Sequence, residues 1–378
     1  MTAPILPGAT LGVLGGGQLG RMFAIAARRM GYGVAVFAPE EHSPAGQIAD
    51  LVVRAPYDDL DAVRGFARQV SVVTYEFENV PAATTDAVAQ DAPTRPAGSL
   101  LATTQDRLRE KDALRRLGLP TAEYRAVESP DDVASAARSI PGRGVLKTAS
   151  WGYDGKGQRA VDDAAALAGA WEELGSQRAV LEAWVPFERE VSVVGARGLD
   201  GEIALFEPFE NAHADHILDV TSFPARLSEA SRKGAHEIAR SVLEGLDVVG
   251  VLCVEMFHLE DGRLLVNELA PRPHNSGHVT IDTHATSQFE QQVRAICGLP
   301  LGDASAAAPA GAMANLLGDL WSDGEPGWGR ALALPGVQLH LYGKDSARPG
   351  RKMGHLSAAG ANVEEAVRSV VRAREALA

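Results

Sequence analysis

Two glutamates, Glu255 and Glu268, lie in apolar segments joined by Asp261-Gly262. Read as a two-residue hairpin turn, Asp261-Gly262 sets Glu260 opposite Arg263. Counting outward, Leu259 then faces Leu264, Phe257 faces Val266 and Glu255 faces Glu268. Carboxylates directly opposite on neighbouring strands repel. A hard divalent cation relieves that repulsion, and Mg2+ bridging phosphate oxygens suits such a pair. Phe257 and Val266 are expected on one face, as an apolar surface nearby. Two solvated glutamates on an exposed face are the alternative. The apolar residues flanking both positions argue against it.

Phosphate chemistry is suggested by a second segment. Lys147 closes a strand-like stretch, Gly144–Thr148, and Ser150–Gln158 follows with Gly152, Gly155, Gly157 and Lys156. Such a hairpin can fold its backbone N–H groups over phosphates. It lacks the GxxxxGK[ST] of a Walker A loop, and the HRD and DFG motifs of a protein kinase are missing. A mobile surface hairpin is the other reading. Near the N-terminus, Gly15-Gly-Gly-Gln-Leu-Gly20 follows a strand and opens a helix, with Glu40 about twenty residues on, as in a dinucleotide fingerprint. Glycines admit a phosphate to the backbone, and the helix N-terminus supplies free N–H groups. NAD or FAD, another phosphate-bearing small molecule, or glycines serving only strand–helix packing all fit this segment.

Ala270-Pro-Arg-Pro-His-Asn-Ser-Gly-His278 follows Glu268 directly. Its prolines forbid a regular helix, so Arg272, His274, Asn275 and Ser276 are expected on a shaped loop. His274 and His278 alone, with no cysteine or HExxH near, are a poor zinc site. By themselves His213 and His216 read as ordinary polar loop residues. Lys344, Arg348, Arg351 and Lys352 form a basic cluster that is either a solvated loop or a phosphate anchor.

The elements that must position these residues can be read coarsely. Strands at Leu11–Leu14, Val34–Phe37, Leu51–Val53 and Val72–Tyr75 alternate with helical segments, which predicts a parallel sheet. One helix is expected from about Leu100 to Leu117, stopped by Gly118 and Pro120. Ala304–Ala314 reads as a weakly structured crossing into a last small unit. The 378 residues suggest two or three domains. Lys plus Arg is 36 and Asp plus Glu is 49, a net charge of −13, which disfavours nucleic acid or an acidic membrane as partner. Two cysteines far apart exclude a disulfide scaffold and suit a reducing, cytoplasmic setting. The first residues lack the basic and apolar regions of a secretory signal, and no apolar run is long enough to span a bilayer.

In this order, the segments resemble the ATP-grasp superfamily and, within it, the N5-carboxyaminoimidazole ribonucleotide synthetase family. The resemblance covers nearly the whole chain. It rests on Gly15–Met22, Thr74–Val80 (TYEFENV), Gln105-Asp-Arg107, Gly152–Gln158 (GYDGKGQ), Glu182–Val194, Asn267–His278, Thr286–Glu290 and Arg351–His355. The fold it implies is α/β (α+β). A Rossmann-like parallel-sheet domain would span 1–103 and an ATP-grasp domain 104–298, with a lid at about 123–183. A small C-terminal domain over 299–378 would complete the substrate site. The implied reaction carboxylates 5-aminoimidazole ribonucleotide with bicarbonate and MgATP, through carboxyphosphate, in purine (IMP) biosynthesis.

Residue by residue, the resemblance places Arg107 and Lys147 on ATP phosphates. Gly152, Tyr153, Asp154, Gly155, Lys156, Gly157 and Gln158 would close over them. Glu182, Ala183, Trp184 and Val185 would bind adenine, Glu190 would bind the ribose hydroxyls, and Phe257 also lies on the ATP side. Glu255 and Glu268 would hold Mg2+, with His213 and Asn267 beside the transferring phosphate. The ribonucleotide would meet Gly17, Gln18, Leu19, Glu76, Tyr153, Asp154, Arg272, His274, Asn275 and Ser276, and Lys344, Arg351 and Lys352 would grip its 5′-phosphate. Lys147, Tyr153, Asp154, His213, Asn267 and Arg272 are the expected catalytic set. Trp184 and His284 depart from the family's usual Phe and Cys. The family also suggests a homodimer and a transient hand-off to the mutase that follows. Rival readings are a formate-dependent glycinamide ribonucleotide ligase of the same fold and a nucleotide-binding regulator without turnover.

Overall fold

The computed structural model describes residues 3–150 and 157–378. The buried valine-rich segments near the N-terminus form a parallel sheet in the order β3-β2-β1-β4: β1 (Thr10–Leu14), β2 (Gly33–Phe37), β3 (Leu51–Val53) and β4 (Val72–Tyr75). β1 lies between β2 and β4, with Leu14 level with both Phe37 and Tyr75. The glycine loop after β1 and Glu76 after β4 therefore leave the sheet side by side at its carboxyl end, where open α/β sheets bind ligands.

A second sheet, wholly antiparallel, has the order β5-β8-β6-β7: β5 (Tyr124–Val127), β6 (Gly144–Thr148), β7 (Gln158–Val161) and β8 (Ala179–Ala183). Leu146, Leu167, Trp171 and Leu181 fill the core on one of its faces. On the other face Val145 pairs with Glu182 and Lys147 with Val180, which makes Lys147 and Glu182 diagonal neighbours.

The third sheet is also antiparallel and runs through two units of the sequence. It contains β9 (Phe187–Arg197), β10 (Ile203–Leu205), β11 (Phe209–Ala214), β12 (Ile217–Phe223), β13 (Gly250–Leu259), β14 (Leu264–Ala270), β15 (Ala310–Leu317), β16 (Val337–Leu341) and β17 (Lys352–Gly360). The order is β14-β13-β9-β11-β12-β15-β17-β16, with β10 beside β9. Val191, Val193, Val254, Met256 and Val266 bury one face against the Glu229–Gly245 helix. On the opposite face Val251 and Cys253 sit in an apolar core with Phe206, Phe209 and Phe223. That face turns polar further along β13, at Glu255.

Four expectations change. The single helix over Leu100–Leu117 is two, Gly98–Thr104 and Arg107–Arg116. Asp106 breaks it by accepting hydrogen bonds from the N–H groups of Leu108 and Arg109, the geometry of an N-cap. Ala304–Ala314 is not a loose crossing, because Ala310–Leu317 is a buried strand. Its small residues are weak strand formers, but here they admit close neighbours on both faces. His213 lies on β11, and Asp215 and His216, at φ 49° and 65°, form the tight turn to β12.

The fourth concerns the β13–β14 turn. It is a three-residue loop with Gly262 at φ 84°, closed by the Leu259 N–H donating to the Arg263 carbonyl at 2.9 Å. Phe257 therefore faces Leu265, and Val266 faces Met256 in the core. The expected Phe257–Val266, Leu259–Leu264 and Glu260–Arg263 pairs do not form. A bulge at Asn267 then adds one residue and returns Glu255 opposite Glu268.

Among the described residues no helix is long and apolar enough to cross a membrane. Gly311 tests the tightness of the β12–β15 seam, since a Cβ there would lie 2.3 Å from Phe223 and 2.9 Å from Thr283. Gly311→Ala should cost about 1–3 kcal/mol in urea denaturation, the usual penalty of overpacking. Wild-type stability would show that this seam yields.

Candidate active site

The break at Asp106 aims Arg107 into the space between the second and third sheets. Its guanidinium donates to Glu268 at 2.9 Å. Burial opposes its charge, but Glu268 and further carboxylates raise its pKa above the usual arginine range. Glu255, opposite, meets His274 Nε2 at 2.9 Å. Burial works against the carboxylate, yet His274 holds it well below its ordinary range. Burial equally disfavours the imidazolium, which Cys253 and Glu255 keep protonated beyond the usual histidine range. Each member of the opposed pair thus has one cation from a different element.

Glu190 on β9 is the third carboxylate here, across the ladder from Phe257 and 3.2 Å from His213 Nδ1. Burial, then Glu255 and Glu268, push its pKa up to about 7. Among the described residues no three His, Cys, Asp or Glu side chains complete a metal site. Two carboxylates with the remaining ligands drawn from phosphate and water is the donor set Mg2+ takes, so the residues fit that ion.

A cation group faces these carboxylates. Lys147 Nζ lies 3.1 Å and Lys111 Nζ 3.3 Å from opposite oxygens of Glu182. Burial disfavours the Glu182 carboxylate, but Lys147, Lys111 and Arg107 hold its pKa at about 2. Burial lowers the pKa of Lys147. Glu182 is therefore a lysine counter-ion, which leaves any contact with a purine to its backbone. The N–H groups of Ala183 and Trp184 already donate to the carbonyls of Glu123 and Arg143. Beside them, Phe187 stacks on Phe257 with centroids 4.6 Å apart and planes 10° apart, and the Arg143 guanidinium covers Trp184 at 3.7 Å. This is a flat, half-exposed aromatic surface next to a cationic pocket, which suits a nucleotide.

The glycine loop is occupied from within. Glu76 accepts from the N–H groups of Gly17 at 2.6 Å and Gly20 at 3.1 Å. Burial raises its pKa, while those two bonds and the charges of Arg272 and Lys344 oppose the rise. A carboxylate stands where a dinucleotide's pyrophosphate would sit, so the dinucleotide reading fails on geometry. Gln18 is half-buried and Leu19 buried at the start of the Gln18–Arg29 helix.

The 270s loop adjoins Glu76. Arg272 pairs with Glu78 at 2.5 Å. His274 Nδ1 and the Ser276 hydroxyl are 2.9 Å apart, and Ser276 continues through Ser192 to Asn211 and Thr221. Both amide atoms of Asn275 and the Asn267 Oδ1 are buried without a hydrogen-bond partner among the described residues. Orphaned groups of this kind are the mark of a ligand site. Lys344 donates to the Lys352 carbonyl at 2.6 Å, and Arg351 donates to Ser346. Gln47, held by Arg21, donates to the Gly343 carbonyl, which docks this basic segment on the first helix. His284 is a neutral ring among Phe206, Phe209 and Phe223, its pKa lowered by burial to about 4.

Gly152, Tyr153, Asp154, Gly155 and Lys156 lie outside the described residues. Gly157 at φ 72° begins the return, where a Cβ would lie 2.6 Å from Thr148; Gln158 opens β7. Sequence reasoning did not single out Lys111, Glu110, Glu78 or Phe187. The first two share a helix face with Arg107 at i+4 and i+3, a signal the charged run concealed.

Three family models match: a ribonucleotide synthetase preATP-grasp domain over residues 8–105, an ATP-grasp domain over 112–289 and a phosphoribosylaminoimidazole carboxylase C-terminal domain over 311–369. N5-carboxyaminoimidazole ribonucleotide synthase of Bacillus subtilis is 44% identical over 93% of this chain and 92% of its own. The Brucella melitensis protein of the same name is 44% identical over 93% of this chain and 96% of its own. Among solved structures, an ADP complex of an N5-carboxyaminoimidazole ribonucleotide synthetase superposes with TM-score 0.93 at 42% identity, covering 99% of this chain and 98% of the other. The Aspergillus clavatus enzyme with ADP and 5-aminoimidazole ribonucleotide gives TM-score 0.88 at 32% identity, covering 98% of each. The ATP-grasp fold is thereby shown, with its parallel N-terminal sheet and antiparallel sheets beyond.

Glu110 offers a test of the site's electrostatics. It is buried, accepts from the Leu269 N–H at 3.0 Å, and burial with Glu268 pushes its pKa up to about 8. A carboxyl whose pKa is raised by folding binds its proton more tightly when folded. Its contribution is therefore retained below the unfolded value and lost as pH rises toward the folded one. Each unit is worth about 1.4 kcal/mol, so ionisation costs a few kcal/mol. Glu110→Gln should melt like the wild type near pH 5 and above it near pH 9, by scanning calorimetry. A variant equally destabilised at both pH values would show that the carboxyl is not held neutral.

Proposed function

The chain belongs to the N5-carboxyaminoimidazole ribonucleotide synthase family and is an ATP-grasp ligase, and from that membership we propose that it carboxylates 5-aminoimidazole ribonucleotide with ATP and bicarbonate. The products are the N5-carbamate, ADP and phosphate, in purine biosynthesis. The observation that carries this reading is the opposed Glu255–Glu268 pair facing Arg107 and Lys147. Carboxylates for a metal and cations for phosphate are the two halves of a phosphoryl-transfer site.

ATP enters between the second and third sheets. Its base lies along Glu182–Val185 and Phe257, with Phe187 behind Phe257, and its ribose lies at Glu190. Arg107 and Lys147 take the phosphates, with His213 and Asn267 beside the one that transfers. Glu255 and Glu268 hold Mg2+, which when bound neutralises phosphate charge. A bicarbonate oxygen attacks the γ-phosphorus and ADP leaves, forming carboxyphosphate. The ribonucleotide amine attacks the carboxyl carbon of carboxyphosphate, or of CO2 released from it as phosphate leaves, and the amine loses a proton. Carboxyphosphate is short-lived in water, so Gly152–Gln158 closes over it.

The ribonucleotide occupies the crevice at Gly17–Leu19 and Glu76, with Arg272, His274, Asn275 and Ser276 on its other side. Lys344, Arg351 and Lys352 hold its 5′-phosphate. Because Glu76 already fills the helix N-terminus, the phosphate must go to that basic cluster, and the glycine loop meets an uncharged part of the ligand. The division into 1–103, 104–298 and 299–378 follows from the same reading. Each unit supplies one wall of the site.

The test is phosphate release from ATP with each pair of co-substrates. Bicarbonate with aminoimidazole ribonucleotide should stimulate it by orders of magnitude, and formate with glycinamide ribonucleotide should not. Stimulation by the second pair would replace this reading with the formate-dependent one, and stimulation by neither would favour a regulator.

A further inference from the structure

Lys111 has no part in the reading above, yet it is one of the most deeply buried charged groups in the chain. Its side chain is 1% exposed, against 11% for Lys147 and 4% for Glu182. It arrives from the Arg107–Arg116 helix, whereas Lys147 and Glu182 lie on adjacent strands of the second sheet. Lys111 Nζ stands 3.3 Å from Glu182 Oε1, and Lys147 Nζ stands 3.1 Å from Glu182 Oε2. Among the described residues, neither Lys111 Nζ nor Glu182 Oε1 has a well-formed hydrogen bond. The Tyr124 ring, 5.9 Å from Nζ, also favours the charge.

The exposures divide the labour. Lys147 is open enough to reach an incoming ligand and Lys111 is sealed behind Glu182. With Lys147 alone, the Glu182 pair would be neutral and would offer nothing net to an anion. Two lysines on one carboxylate leave a charge of +1. When Lys147 turns to a phosphate, Glu182 would become a buried carboxylate with no partner, which is strongly unfavourable. A second lysine that cannot leave removes that cost.

We propose that Lys111 is a positioning residue that keeps Glu182 compensated, so that Lys147 is free to move onto the ATP phosphates. The proposal rests on the assignment of ATP to Lys147 and adds what makes that lysine available. Lys111 itself touches no substrate.

The experiment is calorimetric titration with the non-hydrolysable analogue AMP-PNP and Mg2+, on four proteins: wild type, Lys111→Met, Glu182→Gln and the double variant. Lys111→Met should weaken binding about tenfold or more in the presence of Glu182 and by less than about threefold in the Glu182→Gln background, a coupling typical of contacting charges. Equal losses in both backgrounds would mean that Lys111 meets the nucleotide or merely braces the fold. No loss in either would equally overturn the proposal. Should Lys111→Met fail to fold, Glu182→Gln and the double variant still carry the comparison, since neither strands a carboxylate. There, a tenfold loss on removing Lys111 contradicts the proposal and unchanged affinity supports it. A wild-type protein that bound no nucleotide would overturn the ATP assignment itself, and the proposal with it.

Discussion

Like charges forced onto neighbouring strands are the constraint around which this molecule is organised. Glu255 and Glu268 face each other across β13 and β14, and in isolation that pairing destabilises a sheet. It stands because each carboxylate draws a cation from elsewhere: Arg107 from a helix that breaks and restarts to aim it, His274 from a proline-shaped loop. Glu190, beside them, has its pKa raised by burial and then by both carboxylates. The elements that meet at this point do so through charge as much as through apolar packing.

On the other side of the cleft the signs are reversed. Two lysines share Glu182, and the excess positive charge faces the paired carboxylates of the third sheet. A ligand carrying both a metal-binding edge and phosphate anions satisfies both walls together. The N-terminal sheet solves a different problem. Its glycine loop has the form of an anion site, but Glu76 fills it, and the glycines serve that contact. A Cβ at Gly17 would lie 2.5 Å from the Glu76 carboxylate. The basic segment around Lys344 then lies within electrostatic reach of Glu76, as does Arg272, which brings charged side chains of three chain regions together.

Much of this was legible in the residues, and unevenly so. The parallel sheet was readable because its buried valine runs alternate with helices. The Glu255–Glu268 pair was reached through a turn register that was itself wrong. A three-residue loop shifted the pairing by one, and the Asn267 bulge shifted it back. Bulges depend on tertiary demands that turn counting does not see. The Leu100–Leu117 stretch hid its break because Asp106 reads as an ordinary helix residue until its side chain caps the next helix. β15 was missed since alanine and glycine carry no strand signal, although close packing against Phe223 requires the glycine at 311. Lys111 and Glu110 were invisible because a charged run on a helix normally faces water.

The central claim is that two opposed carboxylates create a cation site that a nucleotide completes. Titration of the protein with ADP, in Mg2+ and in EDTA, tests it directly when repeated on the double variant Glu255→Gln/Glu268→Gln. The wild type should bind ADP about tenfold or more tightly with Mg2+, a difference of about 1.4 kcal/mol or more. The double variant should bind it equally well in both. Mg2+ dependence that survives the loss of both carboxylates, or a wild type indifferent to Mg2+, would contradict the account.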